Sequence, residues 1–396
     1  MKLFRTILAG VLLLAMILPL ASCTPVLIRA EETETLEETA PAVQQTQEAL
    51  PRAKKYKIKE LEGYLKLIGE RTAYASNDLL PLEWAGSGFE LKFEAPAGGT
   101  SVIMSSRFNY ASRFVVFVDG ELQEDILALE KGNVDTVLAT VSEGVHTVRV
   151  EKDTEQGTTY NNYNNIVSLS FDGTPLQADQ SEKELYLEFI GDNYFVGYGA
   201  LGSTADSTNI SAESSYHASM PYLVAKALDA DTSVVARSGI GITTKVGGMT
   251  LPVLYGQQNG YRDAELFYSP DRAPDAIIIN AGNHDSTSTT AADYILKSEE
   301  FIDSIRAYYG DEGEDIPVIW LYGTVYYTRR AAEIQTLQKR NDNVYAFQCE
   351  YGRSGSAAKD VVRYPNAAEH QKTVDIFVPF LQNLLQQSVE APEVDE

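Results

Sequence analysis

Between about Tyr64 and Asp179 the apolar positions fall into short runs that alternate with polar ones: Phe89–Phe93, Ser101–Met104, Phe114–Val118, Thr136–Val141, Val145–Val150 and Ile166–Phe171. Runs of this length with a period of two are half-buried strands. Turn signals separate them at Ala97-Gly98-Gly99, Asp119-Gly120, Glu143-Gly144 and Asp172-Gly173. No helical period interrupts the series, so the strands are expected to close on one another as an antiparallel β-sandwich of the jelly-roll kind.

After Gln180 the pattern changes. Strand candidates Leu185–Ile190, Ser233–Ala236, Ala276–Asn280, Val318–Tyr322 and Val344–Phe347 now alternate with amphipathic helical stretches. Strand and helix in alternation predict a parallel sheet covered on both faces, a flavodoxin-like three-layer α/β/α domain. Its site should lie beyond the carboxyl ends of the strands, in loops that start near Gly191, Arg237, Ala281, Gly323 and Gln348. The last helix has a legible start, because Asn366 can cap it and Glu369 can return a bond to the cap. His370 shares the apolar stripe of Val374 and Phe377 and reads as a packing residue.

The first residues follow a different rule. Lys2 and Arg5 precede an apolar run from Ile7 to Leu20, and Leu20-Ala21-Ser22-Cys23 follows. The run is short for a membrane span and has the form of an export signal. Leu-Ala-Ser-Cys resembles a bacterial lipobox, which implies cleavage before Cys23 and lipidation of its thiol. The protein is therefore expected to be exported and lipid-anchored on the outer face of the cytoplasmic membrane or at the cell surface. Glu31, Glu32, Glu34, Glu37, Glu38 and Glu48 lie among Thr, Gln and Ala, a composition with almost nothing to bury, which reads as a tether. The expected organisation is a signal at 1–22, an acidic tether at 23–60, a sandwich at 61–180, an α/β domain at 181–388 and an acidic tail at 389–396.

Charge narrows the partners. Lys plus Arg total 32 against 56 Asp plus Glu, a formal net charge of −24 in 396 residues, which removes the basic surface that nucleic acid requires. Losing Lys2 and Arg5 with the signal makes the exported chain more acidic still. Cys23 and Cys349 are the two cysteines, and Cys349 sits in a strand-like run as a buried structural thiol. The histidines His146, His217, His284 and His370 have no metal-type spacing, so no metal and no cofactor is expected.

The α/β loops carry a resemblance. Gly191-Asp192-Asn193 followed by Gly197-Tyr198-Gly199 is similar to the first block of the SGNH esterases, normally Gly-Asp-Ser. Arg237-Ser238-Gly239-Ile240-Gly241 resembles the second block, Gly282-Asn283-His284-Asp285 stands where Gly-x-Asn-Asp is expected, and Tyr364-Pro365-Asn366 occupies the His-Pro stretch. With a jelly roll upstream and Glu143–Arg149 similar to that family's strand before the junction, the chain resembles carbohydrate esterase family 2 from about Gly69 to Leu385.

That resemblance implies a serine attacking the acetyl carbonyl of a sugar ester, a histidine as its base, and amide donors holding the oxyanion. Here the serine position is Asn193, whose amide nitrogen offers no lone pair for attack. The histidine position is Tyr364, a phenol that keeps its proton at neutral pH. The oxyanion asparagine position is His284, while Gly241 retains a backbone amide. Asp192 and Asp285 are kept and read as loop-fixing acceptors.

The sequence therefore points to a degenerate sugar esterase that binds polysaccharide or acetylated glycan without serine-type hydrolysis. Tyr160 and Tyr163, flanking two asparagines, are candidate ligand contacts. Two alternatives stand beside this reading. One is an active acyl esterase rewired through Ser238, or the nearby Ser286, with His284 and Asp285. The other is a structural surface module.

Overall fold

The computed structural model describes residues 53–390 except 76, 124–126, 156–162, 203–212, 259–267, 326–328 and 350–363. The leader, Cys23, most of the tether, Tyr160 and residues 391–396 lie outside the described residues.

Two antiparallel sheets form the first half, as the period-two runs require. One orders Lys54–Lys57, Asn164–Phe171, Thr100–Phe108 and Gly132–Val141, with Leu80–Pro81 paired to the second of these. The other orders Thr174–Leu176, Gly88–Ala95, Gly144–Lys152, Ser112–Val118 and Glu121–Leu122, with Lys66–Ile68 and Leu127–Leu129 added at its margins. Phe89, Leu91 and Phe93 of one sheet and Val102, Met104, Ile166 and Leu169 of the other point inward and are buried. Each such side chain contributes about 1.5 to 3 kcal/mol when removed from water.

The sandwich starts earlier than its sequence pattern suggested. Lys54–Lys57 pairs with Asn164–Phe171 inside the segment expected to be tether, and a 3-10 turn at Ile58–Leu61 follows it. The reason is the buried side chains: Tyr56, Ile58 and Leu61 enter the core, while the lysines between them keep their charges outward. Lys54 lies over the Tyr56 ring at 4.3 Å. A run dominated by lysine conceals this alternation, because the apolar positions are few.

The second half is a five-stranded parallel sheet in the spatial order Ala230–Ala236, Leu185–Gly191, Ala276–Asn280, Val318–Tyr322, Val344–Gln348. Its central strands are apolar on both faces, as expected of strands covered by helices on each side. Helices Met220–Leu228 and Ala367–Glu390 pack on one face with Val374, Phe377 and Leu381. Ala291–Tyr308 and Ala331–Arg340 cover the other with Phe301, Ile302, Ile334 and Leu337. The capping box forms as expected: Glu369 N donates to Asn366 Oδ1 at 3.1 Å, and Asn366 N to Glu369 Oε2 at 2.8 Å. The helix runs on to Glu390, two residues into the segment assigned to the tail. This is the jelly roll followed by a flavodoxin-like three-layer α/β/α domain that the two patterns predict.

Buried polar groups join the halves. Arg71, just after the strand Lys66–Ile68, reaches into the α/β domain and donates to the carbonyls of Tyr255 and Gln257 and to Glu188 Oε1 at 3.3 Å. Its guanidinium stacks 3.5 Å from the Tyr268 ring centre, and Tyr255 and Tyr309 hydroxyls donate to Glu188 Oε2. The pair is fully enclosed, so each charge depends on the other. His370 is also enclosed, with its ring 4.5 Å from that of Tyr194 and Nδ1 accepting from Met220 N. Burial holds its pKa down to about 3, so it packs as a neutral ring.

Candidate functional site

The site lies where the fold rule places it, past the carboxyl ends of the strands. Gly191 ends the first strand, and a Cβ there would come within 2.7 Å of the Asn280 carbonyl oxygen. Asp192 follows with no exposure and accepts from Tyr194 N at 3.2 Å, from Asn283 Nδ2 at 3.2 Å and from Asn280 Nδ2. Thr324 closes the ring: it donates to Asn280 Oδ1 and accepts from Asn283 Nδ2, both at 2.9 Å. Burial pushes the Asp192 carboxyl up from its ordinary value. Its oxygens are committed to holding three loops in register.

Asp285 does the same for the second block. It accepts from the amides of Ile242, Thr243 and Thr244 and from the Thr243 hydroxyl, at 2.6 to 3.3 Å. A Cβ on Gly241 would meet the Asp285 carboxylate at 2.7 Å, so the glycine is required by packing. The Gly241 amide donates to the Thr244 carbonyl at 3.1 Å. The expectation that this amide serves the site is therefore corrected. The amide facing Asn193 belongs to Gly239, which donates to Asn193 Oδ1 at 2.8 Å.

Asn193 is buried, and its carbonyl accepts from Tyr198 N at 3.0 Å. Tyr364 stands against Tyr198 edge to face, with centroids 4.9 Å apart and planes at 86°. Two aromatic rings thus occupy the place where the resemblance implies a proton acceptor. His284 lies beside Asp192, Nε2 to Oδ2 at 3.7 Å, outside hydrogen-bond range. That ring nitrogen is buried and has no hydrogen-bond partner among the described residues.

Ser238 and His284 are not joined. Ser238 N donates to Glu155 Oε2 at 2.7 Å, and the Ser238 hydroxyl is buried without a hydrogen-bond partner among the described residues. Ser286 pairs with Ser288 on the exposed side of its turn, hydroxyl to hydroxyl at 2.7 Å. Tyr163 is half-buried at the end of the sandwich, where its amide donates to Asn109 Oδ1 at 2.8 Å and its carbonyl accepts from Asn109 N at 3.2 Å.

Sequence reasoning missed Glu155, Gly239, Asn280, Asn283 and Thr324. Asn280 and Thr324 carry a weak signal, a polar residue at or just past the end of an apolar strand. Glu155 carries none, because it comes from the sandwich half of the chain. Burial pushes its carboxyl up, opposed by the hydrogen bond from the Ser238 amide and by the charges of Arg237 and Lys152. Among the described residues no cluster of three or more His, Cys, Asp or Glu side chains has metal-holding geometry.

Comparison with known proteins adds relatives to this geometry. The family model described as Carbohydrate esterase 2 N-terminal matches residues 68–183. The chain is 24% identical over 314 residues to the Cellulase/esterase CelE of Acetivibrio thermocellus, covering 76% of this chain and 37% of that protein. It is 26% identical over 259 residues to the Acetylxylan esterase / glucomannan deacetylase of Cellvibrio japonicus, covering 61% of this chain and 70% of that one. It thus spans little more than a third of the first of these relatives. A solved family two carbohydrate esterase from Clostridium thermocellum, in complex with cellohexaose, superposes with a TM-score of 0.69 at 20% identity, over 81% of this chain and 99% of that one. Residues 68–183 are therefore a carbohydrate esterase 2 N-terminal domain, the parallel α/β domain follows it, and the chain is related to the carbohydrate and acetylxylan esterases.

Proposed function

We propose that this protein is an exported, lipid-anchored relative of the sugar esterases that binds glycan in the retained cleft without serine-type ester hydrolysis. One observation carries the reading: at the turn where a nucleophile is needed stands the Asn193 carboxamide, fixed by the Gly239 amide. A carboxamide cannot become an alkoxide, and no histidine base faces it among the described residues. The loops around it are nonetheless held as firmly as a working site requires, by Asp192 and Asp285. Tyr198 and Tyr364, packed edge to face, supply apolar faces on which a sugar ring can stack. The cellohexaose bound by the Clostridium thermocellum structure supports a polysaccharide as the ligand class.

The test is to measure hydrolysis of a small acetyl ester and binding to cellulose-type and mannan-type polysaccharides with one preparation of the full chain. Binding without turnover, weakened several-fold by Tyr364→Ala or Tyr198→Ala, is expected. His284 beside the buried Asp192 favours a second reading, a rewired esterase. Turnover that disappears in His284→Ala or Ser238→Ala would establish it in place of the first. For the anchor, Cys23→Ser is expected to move the protein from the membrane fraction into the medium.

A further inference from the structure

The sandwich contributes a polar group to the cleft. The strand Gly144–Lys152 ends at the domain boundary, and three residues on, Glu155 meets the second-block loop of the α/β domain. Consecutive amides there point at two acceptors: Ser238 N at Glu155 Oε2 and Gly239 N at Asn193 Oδ1, at 2.7 and 2.8 Å. Gly239 has φ +82°, so the two amides form the start of a concave anion-holding turn. In an ester-cleaving site such amides would be open to a developing oxyanion. Here the protein's own side chains fill them.

Filling the turn leaves two outward atoms. Glu155 is half-buried, and its Oε1 has no partner among the described residues. Asn193 presents Nδ2, since its Oδ1 is held by Gly239. One atom is an acceptor and the other a donor, fixed on neighbouring backbone amides, and Tyr198, whose ring meets that of Tyr364, donates its own amide to the Asn193 carbonyl. A sugar hydroxyl can give its proton to a carboxylate while a neighbouring hydroxyl oxygen accepts from an amide. An O-acetylated position has no proton to give, and it brings one further acceptor, the acetyl carbonyl oxygen, toward a carboxylate.

We propose that Glu155 reads a free hydroxyl of a neutral glycan, so that the protein prefers unacetylated polysaccharide to its O-acetylated form. The inference rests on the reading of the cleft as a glycan site and adds its chemical preference. It assigns to the sandwich a direct part in recognition. Tyr198 and Tyr364 supply area that either polymer can cover, so the preference itself comes from Glu155.

The experiment titrates the full chain with acetylated glucomannan and with the same polymer after alkaline deacetylation, by calorimetry. The deacetylated polymer is expected to bind about tenfold tighter or more, the worth of a hydrogen bond to a charged group. Glu155→Gln should shrink that preference to less than about threefold. Equal affinity of the wild-type chain for the two polymers overturns the proposal while leaving glycan binding intact. Failure to bind either polymer overturns the glycan reading and this inference with it. If Glu155→Gln melts early, the wild-type comparison alone decides.

Discussion

Replacing His217 by Gln tests the joint between the two halves. His217 lies in the α/β half, in the loop before helix Met220–Leu228, and both its ring nitrogens face carboxylates of the sandwich: Nδ1 is 2.8 Å from Asp153 Oδ1, and Nε2 is 2.9 Å from Glu151 Oε2. A ring so placed must donate from both nitrogens, which makes it an imidazolium. Arg149 pairs with Glu151, Arg113 lies 3.5 Å from Asp153, and the Tyr222 ring packs 4.5 Å away. Burial pulls His217 toward neutrality, but the hydrogen bonds and charges of Asp153 and Glu151 outweigh it and push the pKa up to about 9.

From an ordinary 6.5 to about 9 the difference amounts to roughly 3 kcal/mol. Because the folded pKa is the higher one, this stability is fully present below about pH 6.5 and is lost as pH rises through about 9, at roughly 1.4 kcal/mol per pH unit in between. Lys152 acts in the opposite sense. Burial pushes it from 10.5 down to about 8, so folding gains stability as pH rises across that interval. The wild-type curve is therefore a sum, and the difference between wild type and His217→Gln isolates the ring. Thermal melts from pH 6 to 10 should show the variant several degrees less stable at pH 6, with the gap closing above pH 9. A gap constant across that range, or a His217 ring titrating near 6.5 by NMR, would refute the reasoning.

Three further outcomes are expected. Arg71→Met should lower stability by about 3 to 5 kcal/mol in denaturant melts, because Glu188 is left charged and enclosed, and adding Glu188→Gln should recover part of the loss. Asn193→Ser with Tyr364→His restores the implied nucleophile and base, yet acetyl-ester turnover should stay at background while Glu155 holds the Ser238 amide; adding Glu155→Ala, which removes that acceptor, should raise it about a hundredfold or more, the scale of one oxyanion donor. Cys349 is buried and its thiol is pushed up by that burial, so it should resist a thiol reagent in the native chain and react at once in denaturant.

Most of the fold was legible because the two halves bury apolar residues in different rhythms. Alternation at Phe89, Leu91 and Phe93 and continuous runs such as Ala276–Asn280 each answer to a distinct local environment. The strand at Lys54–Lys57 was not legible, since one buried tyrosine among three lysines gives no pattern. At the site, Asp192 and Asp285 stand in blocks that sequence order alone locates, and the structure gives both a loop-holding role. Local sequence cannot say which amide a loop turns inward. That is why Gly239 rather than Gly241 faces Asn193. Nor can it bring Glu155 across 83 positions to Ser238.

On the proposed reading, the pairing of Glu155 with Ser238 bears on how a site without serine chemistry would keep its form. An empty turn of inward amides is costly, because buried N–H groups without acceptors destabilise a loop by about 1 to 3 kcal/mol each. Here the acceptors are side chains of the protein itself, one from each half, so the turn is satisfied before any ligand arrives. On that reading no nucleophile has to be held in place, and the same residues that fill the turn leave a donor and an acceptor facing outward. Shape is then maintained by Asp192, Asp285 and the interdomain contacts of Arg71 and His217, none of which depends on turnover.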